Sequence, residues 1–148
     1  MFSRNSGSLE VLLVHPGGPY FRNKDQGAWT IPKGEVAESE DLLARARTEF
    51  EEELGIPAPT AANSIELGSV KQKGGKTVHA WAFEGNLPDP FVIVSNTFEM
   101  EWPPRSGRFQ QFPEVDRAEF FLVEKAREKI NEAQVAFLDR LVEALRTR

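Results

Sequence analysis

The sequence predicts an α/β domain in which helices pack against a sheet, and two features of the chain support this prediction. Most of the stretch 34–56 has the apolar spacing of one amphipathic helix. Most of the remaining chain consists of short apolar or alternating segments separated by turn residues, and two further helical segments close it. A chain of 148 residues, 40% hydrophobic and 28% charged, is expected to form a single domain over residues 1–148.

The predicted helix should present one apolar stripe to a core. Its apolar residues recur at helical spacing: Leu43, Ala46, Phe50 and Leu54. Ser39 is a suitable N-cap, and Glu40 and Asp41 suit the positive end of the helix dipole. Gly55 is predicted to end the helix in the left-handed conformation.

Three glutamates fall on one flank of this helix, about a quarter-turn from the apolar stripe. At 3.6 residues per turn, Glu49, Glu52 and Glu53 lie side by side, whereas Glu51 points elsewhere. One interpretation is a solvated acidic face. The other is a site for Mg²⁺ or Mn²⁺, because hard cations take carboxylate and phosphate oxygens.

The wider spacing resembles the signature of the Nudix hydrolases. The match begins with a glycine, continues with a glutamate six residues later, and ends in a segment that starts nine residues after that glutamate. The matching residues are Gly34, Glu40, Glu49, Phe50, Glu52, Glu53, Gly55 and Ile56. A chance match of this size is on the order of one in 10⁵ at ordinary residue frequencies. The resemblance implies an α/β/α sandwich with a mixed central sheet. It also implies metal-dependent hydrolysis of a diphosphate bond in a nucleoside diphosphate linked to a group X.

The same resemblance assigns roles in catalysis. It implies that Glu49, Glu52 and Glu53 hold the metal, joined by the backbone carbonyl of Lys33. The water's proton would pass to a carboxylate, with Glu52 and Glu114 the leading choices. Glu114 is preferred to Glu101 and Asp116 as the acidic residue before the last strand. The predicted catalytic residues are Glu52, Glu53 and Glu114.

One position departs from the signature, because Thr48 stands where the family has an arginine. In the family, that arginine resembles a residue that contacts the metal-binding glutamates, and not the metal, and so holds them in place. Arg45 lies four residues before Glu49 on the helix and is predicted to supply the missing charge. Glu40 is likewise predicted to contact the metal ligands and not the metal. The alternative for Arg45 is an ordinary surface ion pair.

Substrate contacts are predicted outside the helix. The lead-in Trp-Thr-Ile-Pro-Lys-Gly at 29–34 resembles that of many family members, which nominates Trp29 and Lys33. Lys76, at a two-glycine turn, is a candidate for binding phosphate. A loop with Trp102, Arg105 and Arg108 is expected to recognise polyphosphate and base, since guanidinium groups match phosphates and aromatic faces stack on bases. The alternative for Lys33, Lys76 and the arginines is a solvated surface.

Patterning predicts the other elements. Strands are expected at 9–14, 91–94, 98–102 and 117–122, with a hairpin of 65–73 and 76–83 around Gly74-Gly75. Helices are expected at 123–130 and 133–145, the second packed on the sheet. Family members usually have an apolar strand ending near Met1, so a clipped first strand is expected here. His15 is predicted to be structural.

Composition limits the function further. A net charge of −5 argues against nucleic acid and anionic membranes as partners, and there are no cysteines for disulfides or thiolate metal sites. No apolar run approaches 18 residues, so a cytoplasmic enzyme is expected. The resemblance implies a small nucleotide as its partner, and a monomer or homodimer is expected. The resemblance leaves two substrate classes, dinucleoside polyphosphates, as in diadenosine polyphosphate hydrolases, and nucleoside triphosphates. The rival functions are a catalytically weak or inactive nucleotide-binding or regulatory module and a purely structural α/β domain.

Overall fold

The computed structural model describes residues 1–5, 7–32, 41–58, 63–87 and 91–147. The strands are β1 Phe2–Asn5, β2 Ser8–Pro16, β3 Ile65–Lys71, β4 Thr77–Ala82, β5 Thr97–Glu101, β6 Phe109–Pro113 and β7 Val115–Leu122. The helices are α1 Leu42–Leu54, α2 Val123–Lys129 and α3 Val135–Arg146, with a 3₁₀ turn at Glu132–Gln134. None of the helices within these ranges combines the length and apolar character needed to span a bilayer.

Strand β2 lies at the centre of the sheet, paired antiparallel with β1 on one side and β7 on the other. Its side chains alternate between two separate cores. Val11 and Leu13 join one apolar cluster, whereas Leu12 and Val14 join the other. All four are at most 4% exposed, which explains why this strand is continuously apolar and not alternating.

The central sheet combines antiparallel strand pairs with one parallel contact, and in this sense it is mixed, as predicted. β3 and β4 form the predicted antiparallel hairpin, in which Gly74 and Gly75 both adopt positive φ, as the turn requires. Just beyond β4, the chain runs parallel to β1: the N–H of Phe2 donates to the carbonyl of Phe83, and the N–H of Gly85 donates to the carbonyl of Phe2, both at 2.9 Å. This contact attaches the hairpin to the β1–β2–β7 sheet.

Helices cover both faces of this sheet. On one face, Phe50 and Leu54 of α1 pack with Leu12, Val14 and Phe83. On the other face, residues of α2 and α3 pack against Val11, Leu13 and the β3–β4 hairpin; they are Val123, Ala126, Phe137, Leu138 and Leu141. The structure therefore confirms the predicted α/β/α arrangement.

Several predicted boundaries are wrong. Helix α1 begins at Leu42 with Asp41 as its N-cap, so Ser39, which lies outside the described residues, is not the cap. The first strand, which was expected to be clipped, is present as the four-residue β1, stabilised by pairing with β2 and by burial of Phe2. Residues 91–94 form no strand, although Phe91 and Ile93 pack against the core beside α1.

The strand β6 is absent from the sequence prediction. It pairs antiparallel with β5, from Thr97 opposite Pro113 to Glu101 opposite Phe109. The two strands form a hairpin that is assigned to neither of the other sheets. Its register depends on partners eight to sixteen residues apart, which local patterning does not reveal.

Buried polar contacts fix the loop that follows β2. His15 is fully buried; its Nδ1 lies 2.7 Å from Asp116 Oδ1, and its Nε2 lies 2.7 Å from the carbonyl oxygen of Lys24. Asp25 accepts hydrogen bonds from Lys129 and from the Trp29 indole, which lower the pKa of its carboxyl. His15 thus links β2, β7 and the loop, which agrees with the predicted structural role.

Candidate active site

Both ends of α1 are fixed, which sets the direction of each of its faces. The carboxylate of Asp41 accepts hydrogen bonds from the backbone N–H groups of Leu43 and Ala44, at 2.9 and 3.1 Å. At the other end, Gly55 has φ 72°, and its N–H donates to the carbonyl of Glu51 at 2.8 Å. A Cβ at Gly55 would lie 3.1 Å from Cβ of Val94, so the helix ends tightly against that segment.

The acidic flank of α1 is partly buried. Glu49 and Glu53, one helical turn apart, are each 7% exposed, whereas Glu52 is exposed. Glu51 is also exposed and accepts a hydrogen bond from the N–H of Ala58 at 3.0 Å. Burial of a carboxylate costs free energy unless the charge is paired or binds a metal. The interpretation of Glu49 and Glu53 as a plain solvated face is therefore wrong.

Arg45 contacts Glu49 across one helical step, as the spacing predicted. Its guanidinium forms an ion pair with Glu49 Oε1. Thr48 is exposed, and its hydroxyl donates to the carbonyl of Ala44 in its own helix at 3.1 Å. The charge beside Glu49 comes from Arg45, because Thr48 carries none.

The acidic flank of α1 offers two buried carboxylates, those of Glu49 and Glu53, as possible ligands for a metal ion. Among the described residues, no three acidic, histidine or cysteine side chains are grouped closely enough to hold one. Mg²⁺ nevertheless binds commonly through one or two carboxylates, with substrate phosphates and water completing its shell. Glu49 and Glu53 are the right donors for that arrangement. Lys33 and Glu40, which were predicted to contribute, lie outside the described residues, as does the signature residue Gly34.

Glu114 lies at the point where β6 passes into β7. Its N–H donates to the carbonyl of Asn96 at 2.8 Å, and its carbonyl accepts from the N–H of Gly17 at 3.0 Å. Its side chain is exposed. The two less favoured candidates have other contacts, since Asp116 contacts His15 and Glu101 accepts from the N–H of Arg105.

The predicted substrate contacts occupy different environments. Trp29 is 1% exposed; its ring packs edge-on against His15 and Phe121, so it offers no accessible face to a nucleotide. Lys76, Arg105 and Arg108 are exposed, the first at the β3–β4 turn and the other two at the β5–β6 turn.

The structure adds one aromatic residue that sequence reasoning missed. Tyr20 is 56% exposed, and its ring meets that of Trp102 edge-to-face, with centroids 5.4 Å apart. The local signal was a pair of adjacent aromatic residues, Tyr20 and Phe21, in a loop that is otherwise mostly polar.

A cavity of about 80 Å³ lies beside α1. Leu43, Ala46 and Phe50 contribute to its lining from the helix, and His79 and Trp81 contribute from β4. The described residues that line it include no acidic side chain. It therefore belongs to the apolar side of α1 and is distinct from the flank with Glu49 and Glu53.

The family assignment rests on the whole chain. Residues 1–141 match the NUDIX domain. The chain belongs to the Nudix family. Membership indicates a pyrophosphohydrolase that acts on nucleotides, and Nudix enzymes generally use divalent metal ions. No curated protein sequence matches the chain.

Solved Nudix structures share the fold. A Caenorhabditis elegans Ap4A hydrolase binary complex is 20% identical with a TM-score of 0.67, over 99% of this chain and 95% of that one. The NUDIX domain of Shewanella oneidensis NrtR, complexed with ADP ribose, is 16% identical with a TM-score of 0.60, over 97% and 82%. A mutT/nudix family protein from Listeria innocua is 17% identical with a TM-score of 0.61, over 99% and 89%. At these identities the likeness concerns the Nudix fold.

Proposed function

We propose that the protein is a divalent-metal-dependent hydrolase of a diphosphate bond in a nucleoside diphosphate linked to a further group. The observation that carries this proposal is the pair of buried glutamates, Glu49 and Glu53, beside the exposed Glu52 on one face of α1. A helix rarely buries two acidic side chains one turn apart for stability alone. Oxygen donors at this spacing suit Mg²⁺ or Mn²⁺ in contact with substrate phosphates.

The three glutamates have different roles in this proposal. Glu49 and Glu53 would hold the metal, together with Glu52 and the carbonyl of Lys33; when bound, the metal neutralises phosphate charge and lowers the pKa of water. Glu52 is the better placed of the three to accept a proton, because its exposure gives water access to it. Glu114, also exposed, is the alternative base.

Arg45 orients Glu49 in place of the family's arginine. An ion pair across one helical step restricts the carboxylate. Glu40 is also proposed to support the metal ligands without binding the metal itself. Thr48 carries no charge, so the cation that would replace the family's arginine is that of Arg45.

Cations outside α1 would bind the remaining phosphate oxygens. Lys76, Arg105 and Arg108 are exposed on two hairpin turns, where they can meet an approaching polyphosphate. In an acidic protein with a net charge of −5, such local positive groups are needed to offset repulsion of the substrate. They would also stabilise charge that spreads over the phosphates in the transition state.

Two substrate classes fit, dinucleoside polyphosphates and nucleoside triphosphates. Two structural neighbours are, by name, an Ap4A hydrolase and a domain complexed with ADP ribose. Both names denote adenosine joined to another group through a phosphate chain. This supports a substrate with a nucleoside at one end, which both classes have.

Thr48 favours a second candidate, a nucleotide-binding module with weak or no turnover. Loss of the family's arginine removes a group of the kind whose loss typically costs 10- to 100-fold in metal affinity or activity. Binding of nucleotide with metal, but without release of product, would support this candidate.

A screen of dinucleoside polyphosphates, nucleoside triphosphates and ADP ribose with Mg²⁺ or Mn²⁺ tests the proposal. Running the reaction in ¹⁸O water shows which phosphorus atom is attacked.

Glu53→Gln should lower kcat by about 10²-fold or more. Glu51→Gln is the matched control, since Glu51 lies on the same helix, is exposed and keeps an acceptor for Ala58 after the change. Equal activity of the two variants, or turnover that survives chelation of all divalent ions, would contradict the proposal.

A further inference from the structure

The turn of the β5–β6 hairpin is exposed and carries both aromatic and cationic side chains. Residues 103–111 are all exposed, and Trp102 is half-buried. The hairpin is anchored at its other end, where Phe98 and Phe112 pack against each other with ring centroids 6.0 Å apart. Phe112 is 9% exposed. The turn, residues 102–108, therefore extends away from the core.

Two aromatic rings from distant parts of the chain meet at this turn. Tyr20, from the loop after β2, packs edge-to-face on Trp102 at an interplanar angle of 80°. This arrangement leaves more than half of the tyrosine exposed. Large aromatic side chains that stay in solvent while already fixed in position are suited to stacking with a flat ligand, because little conformational entropy remains to be lost.

Two guanidinium groups lie in the same turn. Within the described part of the chain, neither Arg105 nor Arg108 uses its guanidinium in a hydrogen bond or an ion pair; both form hydrogen bonds only through their backbone. One carboxylate is present there, that of Glu101, and it accepts the N–H of Arg105 at 2.6 Å. The two arginines are thus available to an anion.

The backbone at Arg105 gives independent support. Its φ is 61°, in the left-handed region that favours glycine or asparagine, and no other described non-glycine residue has a positive φ. Glycine is available to this turn, since Gly107 also adopts a positive φ of 74°. An arginine kept in a strained backbone conformation indicates that its side chain serves a function.

The hairpin also connects the turn to the proposed active site. Glu114 follows β6 directly, and its neighbour Gly17 begins the loop that leads to Tyr20. Val94, two residues before Asn96, packs against Gly55 at the end of α1. The five residues of β6 at about 3.3 Å each place the turn roughly 15 Å from Glu114. A ligand that reaches both places has to be elongated, as a nucleotide with an extended phosphate chain is.

We propose that the Tyr20–Trp102 pair, with Arg105 and Arg108, binds the base end of the substrate, with the base stacked on the aromatic rings and a nearby phosphate held by the arginines. This site would select nucleoside polyphosphates over phosphate chains that lack a base. The proposal rests on the proposed function for the identity of the substrate. It assigns a role to Tyr20 and a reason for the conformation of Arg105.

Binding without divalent ions tests this site separately from hydrolysis. Calorimetry would compare ATP, GTP, CTP and UTP with inorganic tripolyphosphate, which has the phosphates and no base. The wild-type protein should bind the nucleotides more tightly, and Tyr20→Leu should weaken nucleotide binding about 10-fold with no effect on tripolyphosphate. Tyr20→Phe keeps the ring and should bind nearly as the wild type does.

Arg105→Gly tests the arginine without a backbone penalty. It should weaken binding of nucleotides and of tripolyphosphate alike, while the melting temperature stays equal or rises. Arg146→Gln, at an exposed arginine on α3, is the control for loss of one positive charge. Arg105→Gly with unchanged affinity for both ligands would contradict the role of the guanidinium.

The outcomes separate the two proposals. Equal binding of nucleotides and tripolyphosphate by the wild type, or a Tyr20→Leu variant with unchanged nucleotide affinity, would overturn the base site even if hydrolysis proceeds. Base-dependent binding that Tyr20→Leu abolishes, in a protein that hydrolyses none of the screened substrates, would overturn the proposed function and leave the base site intact.

Discussion

Helix α1 and the β5–β6 hairpin are both proposed to act on the substrate, but only α1 is built into the core. Phe50 and Leu54 of the helix are 4% and 0% exposed, and the two buried glutamates are their immediate neighbours. The hairpin contributes Phe112 to the interior, while its turn stays in solvent. The glutamates proposed for catalysis therefore depend on how α1 packs against the sheet. The exposed side chains proposed for substrate recognition on the hairpin could be substituted at little cost in stability.

The largest expected effect is on the core side of α1. Phe50→Ala should lower the free energy of unfolding by about 3–5 kcal/mol, because it removes a ring that packs edge-to-face on Phe83 and leaves a cavity next to Leu54. Denaturant unfolding measures this loss. A loss below about 1 kcal/mol would show that α1 is not integrated with the sheet, and the contrast with the hairpin would fail.

The next effect concerns chemistry first and stability second. Arg45→Gln should lower kcat/KM by about 10- to 100-fold, since Glu49 loses the charge that orients it. The free energy of unfolding should fall by about 1–3 kcal/mol as well, because the buried carboxylate of Glu49 loses this charged partner. Steady-state kinetics and thermal melting separate the two quantities.

The missing family arginine provides a rescue for the same prediction. Thr48→Arg in the Arg45→Gln background should restore activity, because it supplies a cation one residue before Glu49. Arg45→Lys, which keeps the charge, should lose less than Arg45→Gln. An Arg45→Gln variant with wild-type kcat/KM would show that the ion pair is an ordinary surface contact.

A smaller effect is expected at Asp116, at the start of β7 and three residues after the β5–β6 hairpin ends. Asp116→Asn weakens the contact with the buried ring of His15 and should cost about 1 kcal/mol, because Asp116 remains partly exposed to water. Asp139→Asn is the control, since its partner Arg127 lies near the surface on α2. Equal and negligible losses for the two variants would show that His15 does not depend on the carboxylate.

The contrast between the two regions also explains how much the sequence could predict. The candidate site on α1 could be proposed from the sequence because its determinants are local: a fixed spacing of glutamates, apolar residues and Gly55 within one helix. The same spacing could not show that Glu52 stays exposed while Glu49 and Glu53 are buried, since that depends on how α1 rotates on the sheet.

The hairpin was only half predicted because its determinants are non-local. β5 was recognised, but β6 is defined by pairing with β5, and the Tyr20–Trp102 contact joins residues 82 positions apart. Trp29 shows the converse, since a conspicuous aromatic residue next to the signature proved to be a core residue fixed by Asp25, His15 and Phe121. Exposure is a property of the assembled fold, and composition does not reveal it.

The smallest expected effect is at the outer end of the hairpin. Phe109 is 62% exposed and lies opposite Glu101 at the last pair of the β5–β6 ladder. Phe109→Ala should change the free energy of unfolding by no more than about 0.5 kcal/mol, because its ring is already largely in water.

Backbone amides of the hairpin should also exchange hydrogen faster than those of α1, because few buried contacts protect them. A loss above 1 kcal/mol for Phe109→Ala, or exchange as slow as that of α1, would mean that the hairpin unfolds only together with the core. Its residues would then be constrained by stability in the same way as Glu49 and Glu53.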